Sequence, residues 1–242
     1  MAQSYFVWNG IDCRSKGVIM RGPVPIVRGE ERVRHVEIPG VAGDLTETEG
    51  TDIFNSYIQT ASISVRGAAN VRNIYKWLRG AGYVTLSGEP DRKQAARVIG
   101  AITLNRISRN LDHWAGEVQF YCQPLKQKLR EEPVTLTASG TVRNSGDVTA
   151  RPLYKVTTSG TAVGINVEGE NTPAGNMIVL AGVTSGTVIW IDSETMEVLN
   201  ADRTESLTRL SAGEFPVLGV GNNTITLTNI SSIEITKRER YL

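Results

Sequence analysis

Residues 57–65, YIQTASISV, put Tyr57, Gln59, Ala61, Ile63 and Val65 on one side of an extended chain and Ile58, Thr60, Ser62 and Ser64 on the other. That is the period-2 alternation of a half-buried strand, with the first side the drier one. Working outward, residues 32–38, RVRHVEI, alternate less cleanly, so they read as an edge strand or an arm. Residues 102–107, ITLNRI, and 114–122, WAGEVQFYC, are further strands that can pair antiparallel across the turn SRNLDH. Beyond residue 133 short strands recur between turn-formers: PLYKVTT (152–158), AVGINVEG (162–169), NMIVL (176–180), GTVIWID (186–192), NNTITLTN (222–229) and SIEIT (232–236).

One stretch breaks the pattern. In residues 70–80, NVRNIYKWLRG, Val71, Ile74, Tyr75, Trp77 and Leu78 gather on one helical face, with Arg72, Asn73, Lys76 and Arg79 elsewhere. This predicts a short amphipathic helix with Asn70 as its N-cap and Gly80 ending it. A single helix among many strands excludes an open α/β fold, which needs repeated crossovers, and favours a two-sheet β-sandwich for the second half.

The chain has 242 residues, a net charge of +1, 21% charged and 40% hydrophobic residues, a composition that folds without disulfides. Composition shifts near residues 130–134, which predicts two domains, 1–132 and 133–242. The first carries 18 basic and 14 acidic residues, the second 8 and 11. Near-neutrality gives no general case for nucleic acid or an anionic membrane as partner. No apolar run approaches the length of a membrane span, and the opening residues lack the pattern of a secretion signal, so the expected place of synthesis is a cytoplasm. Asn222 and Asn229 fit glycosylation acceptor patterns, which mean little without export.

The search for chemistry finds no phosphate loop, dinucleotide fingerprint, zincin helix or nucleophile elbow. Cys13 and Cys122 lie far apart and read as core thiols, and with His35 and His113 they give no ligand spacing. The pairs Asp112–His113, Glu30–Glu31 and Glu131–Glu132 read as solvated charge. Trp8, Trp77, Trp114 and Trp190 read as packing residues before sugar platforms. No catalytic residue, metal or cofactor is expected.

The order of several segments resembles the distal tail, or Dit, proteins of long noncontractile-tailed phages. They are FVWNGIDCRSKGV at the start, NVRNIYKWLRGAG, YVTLSG, PDRKQAARVIGAI and WAGEVQFYCQP in the first half, then NSGDVTARPLYKV, GTVIWID, FPVLGVGNNTITL and SIEITKRERYL. The resemblance spans the whole chain. It implies a mainly β protein: a β-rich, ring-forming N-terminal domain with one short helix, then a galectin-like β-sandwich whose last strand can pack back on the first domain. It further implies a virion structural protein, a hexameric hub of one ring or two stacked rings at the distal end of the tail. The implied neighbours are tail tube protein, tape-measure protein, a tail-associated fibre or lysin protein and a receptor-binding protein, with no direct nucleic-acid recognition and no membrane insertion.

A closed ring needs a heterologous interface. The expected contributors are Arg32, Arg34, His35, Glu37 and Asp44, on the incomplete strand and the turn-rich residues 39–50 that follow it. Val71, Ile74, Tyr75, Trp77 and Leu78 are expected in the core of the helix. Two other readings stay open: a carbohydrate-binding adhesin of the tail tip, and a β-sandwich glycan or peptide hydrolase.

Overall fold

The computed structural model describes residues 4–48, 50–108 and 110–242. Residues 1–3, Glu49 in the expected arm and Arg109 in the expected turn lie outside them. The chain divides into two compact units, one reaching Leu129 and including Leu242, the other Arg130–Tyr241.

The first unit runs β1 (Phe6–Trp8), β2 (Ile11–Asp12), β3 (Val18–Met20), β4 (Val33–Glu37), β5 (Asp44–Thr48), β6 (Tyr57–Arg66), the helix α1 (Ala68–Trp77), β7 (Ala81–Leu86), β8 (Arg92–Ile99), β9 (Leu104–Ser108) and β10 (His113–Lys128). Its main sheet has the order β2-β1-β7-β8-β10-β6-β3, with β9 also on β10. The strand at residues 57–65 is β6, and Ala61, Ile63 and Val65 are buried on it. β10 is longer than the alternation at 114–122 predicts. It continues to Lys128 through a register shift between Cys122 and Lys126, where Pro124 has no N–H to donate to the ladder.

The core gathers Phe6, Trp8, Ile63, Val65, Val118 and Phe120 beneath α1. Phe6 stacks on Trp77 at 5.8 Å and meets Phe120 edge-on at 5.5 Å, geometries that add to simple area burial. Along α1, Val71, Ile74 and Leu78 are buried, a line at i, i+3 and i+7. Tyr75 departs from the expectation: one step of about 100° past Ile74 carries it off that line, and it is 41% exposed.

The helix start also differs. Gly67 occupies the N-cap position and makes no side-chain cap bond. The cap comes from elsewhere, because the Ala68 N–H donates to Asp112 Oδ2 at 3.0 Å and the Gly67 N–H to the Asp112 carbonyl at 2.8 Å. Asn70 instead donates its amide to the Arg66 carbonyl at 2.8 Å. Asp112, read from sequence as solvated turn charge, is thus the acceptor at the head of the helix, with an indole N–H from Trp114 at 3.0 Å. Those two donors, the indole first, hold its carboxyl below the usual aspartate range.

The second unit is a sandwich of β11 (Val134–Leu136), β12 (Gly140–Asn144), β13 (Leu153–Thr158), β14 (Ala162–Gly169), β15 (Met177–Ala181), β16 (Val188–Asp192), β17 (Glu197–Leu199), β18 (Ser211–Gly213), β19 (Gly221–Thr228) and β20 (Ile230–Thr236). Among the described residues one sheet has the order β11-β20-β13-β16-β17 and the other β12-β19-β14-β15-β18. Alternate residues of both inner faces, including Tyr154, Val156, Ile165, Ile178, Ile191, Ile225 and Ile233, form one core, as expected of aligned sheets. Buried asparagines tie its loops. Asn144 donates to the Val148 and Leu218 carbonyls and accepts from the Gly146 N–H. Asn176 does the same service for Val167 and Val217.

Candidate subunit interface

β4 and β5 form a two-stranded sheet of their own, in the register Val33–Thr48, Arg34–Glu47, His35–Thr46, Val36–Leu45 and Glu37–Asp44. At its base the chain is clamped to the segment before β6. The Arg32 N–H donates to the Ile53 carbonyl at 2.9 Å, the Asn55 N–H to the Glu30 carbonyl at 2.7 Å, and Arg32 Nε to Asn55 Oδ1 at 3.1 Å. At its tip, residues 38–43, IPGVAG, turn with Gly40 and Gly43 at φ +82° and +91°, values that side chains with a Cβ rarely adopt.

No residue of this hairpin belongs to either hydrophobic core. β5 is exposed at every position, and Ile38, Val41 and Leu45 are 43%, 61% and 50% exposed. An isolated hairpin is marginal in water, so this element lacks the packing that would normally hold it. Opposed residues share a face. One face therefore carries Val33, His35 and Glu37 beside Thr48, Thr46 and Asp44, with Thr46 Oγ1 at 3.4 Å from His35 Nδ1. The other carries Arg34, Val36 and Ile38 beside Glu47 and Leu45.

The residues expected at an interface are thereby placed: Arg34, His35, Glu37 and Asp44 on the hairpin, Arg32 at its base. Glu37 and Asp44 stand directly opposite each other with no ion-pair partner among the described residues. Like charges so placed oppose hairpin formation.

Cys13 and Cys122 are buried and unpaired as thiols, and burial pushes both up, Cys122 to about 12, the profile of inert core thiols. His35 sits on the hairpin and His113 opens β10. Among the described residues no three His, Cys, Asp or Glu converge to hold a metal, and no helix is long and apolar enough to cross a membrane. Trp8 is fully buried and Trp77 stacks on Phe6. Trp114 bonds to Asp112, while Trp190 donates to the Ala201 carbonyl and is capped by the Arg203 guanidinium 3.5 Å from its ring centre.

No protein-family model matches the chain, and no curated protein matches it in sequence. Among solved structures it is similar to SPP1 Dit (gp 19.1), described as a paradigm of the hub adsorption apparatus in phages infecting Gram-positive bacteria. That similarity has a TM-score of 0.79 at 17% identity and covers 100% of both chains. A weaker similarity, with a TM-score of 0.45 at 10% identity, covers 96% of this chain and 97% of a chain in the phage p2 baseplate in its activated conformation with Sr. Over its full length the chain has the fold of the SPP1 distal tail protein: mainly β, a β-rich first unit carrying the α-helix, then a galectin-like antiparallel sandwich.

Proposed function

We propose that this chain is the distal tail hub of a long noncontractile-tailed phage, a virion structural protein that joins the tail tube to the tail tip or baseplate and supports host-adsorption components. The observation that carries the reading is the end-to-end likeness to the SPP1 hub protein. A second feature suits it. The β4–β5 hairpin is held at its base and has no core of its own, so a neighbouring subunit would supply the packing it lacks. Residues 1–132 act as the ring-forming part and 133–242 as the galectin-like sandwich; six copies close the ring. Arg32, Arg34, His35, Glu37 and Asp44 belong to the contact between copies. The tail tube and tape-measure proteins lie on one side, and a fibre, lysin or receptor-binding protein on the other.

Electron microscopy of the purified protein with its tail-tube and tape-measure neighbours tests this. The expected image is a closed ring on the tube axis. Monomers at every concentration, with no affinity for the tube, would overturn it.

A further inference from the structure

The short 3-10 turn Cys13–Lys16 and the helix α1 border an open surface cavity of about 570 Å³, lined by Ser15, Lys16, Gly17, Asn70, Asn73, Lys76 and Trp77. Its lining carries two ammonium groups and no carboxylate. The neighbouring Arg14 is already spent, because its guanidinium is paired with Asp12 at 2.5 Å. Lys16 and Lys76 have no ion-pair partner among the described residues, and both are exposed. Two unpaired ammonium groups and no carboxylate around one cavity favour an acidic occupant.

The same unit holds the reciprocal feature. Glu37 and Asp44 oppose each other beside the hairpin tip, exposed and unpaired, in a register that sets like charges side by side. Within one chain the two features make no ion pair among the described residues. A ring closed by a heterologous contact presents one patch of each subunit to a different patch of the next.

We propose that the basic cavity beside α1 is the socket for the hairpin tip of a second copy of this chain, with Lys16 and Lys76 pairing Glu37 and Asp44 of the neighbour. This rests on the ring-forming reading above and adds the two halves of its contact. Docking relieves the repulsion between the two carboxylates and gives the two ammonium groups anionic partners. Complementary charge also fixes which patch meets which, so the contact repeats head to tail.

The test is a charge exchange, read by light scattering and mass photometry of the full chain across protein concentration, and by electron microscopy of rings on tail-tube ends. Four proteins are compared: the natural chain, Glu37→Lys with Asp44→Lys, Lys16→Glu with Lys76→Glu, and all four changes together. Because the four side chains are exposed, melting temperatures should stay close to that of the natural chain, and this is checked. Each double variant is expected to weaken subunit association about ten-fold or more at low salt, and the fourfold variant to regain most of it. Either double variant assembling like the natural chain would overturn the socket while leaving the ring intact, as would a fourfold variant no better than the doubles. If only the lysine variant loses assembly, the cavity takes a different anion and the proposal is equally overturned. A natural chain that forms no ring, alone or on tubes, defeats the hub reading itself.

Discussion

Asp192 and Arg238 show how a single pair supports the sandwich. The Arg238 fork reaches both carboxylate oxygens, at 2.6 and 2.9 Å, and the N–H groups of Glu194 and Thr195 add two more donors. Burial pushes the Asp192 carboxyl up, but the fork, the backbone donors and the nearby charge together outweigh it and hold it below its ordinary 3.8. A carboxylate with a depressed folded-state value contributes stability that is complete above the unfolded value and is lost as pH falls through the folded one. Asp192→Asn should therefore lower stability by about 1–2 kcal/mol at pH 7. The difference from the natural chain should shrink below pH 4, read from urea titrations across pH; a gap independent of pH would refute the linkage. Asn144 carries a different kind of weight. Removing its amide in Asn144→Ala strips a partner from two carbonyls and an N–H in a buried turn, and the expected loss is about 2–3 kcal/mol by denaturant melt.

At the scale of elements, α1 separates burial from composition. Ile74 is fully buried and Tyr75 beside it is 41% exposed, so Ile74→Ala should cost about 2–4 kcal/mol and Tyr75→Ala under about 1; equal costs in thermal melts would contradict the placement. The helix itself is legible in residues 70–80 because its apolar spacing is local, and β6 is legible because its alternation is regular. β8 is not. Its Arg92, Lys93 and Arg97 surround small alanines, and its buried polar member Gln94 is satisfied only across the fold, by Tyr57 and the Gln123 carbonyl. The helix cap was hidden for the same reason, since Asp112 lies 44 residues from the N–H it accepts. Of the hairpin, β4 is readable from its incomplete alternation, whereas β5 lies in residues 39–50, which read as turn-rich connection and become a strand only by pairing with β4. The socket half is not, because Lys16 and Lys76 become neighbours of one cavity only after the turn and the helix are folded.

For the molecule as a whole, the question is whether its two cores melt as one. The buried cluster of the first unit ends at Cys122 and that of the second begins at Val142, and no residue belongs to both. Each cluster lies within one unit, and the sandwich alone is in the size range where a single core sustains cooperative folding. The effects of distant substitutions add. In calorimetry of the full chain under conditions that keep it monomeric, Ile74→Ala should lower one transition and Asn144→Ala another, with the double variant showing both shifts undiminished. If the first unit forms the proposed ring, raising protein concentration should lift the transition that Ile74→Ala lowers and leave the other in place. Were both substitutions to depress a single shared transition, the chain would be one cooperative unit, and a ring built from the first unit would stiffen the sandwich with it.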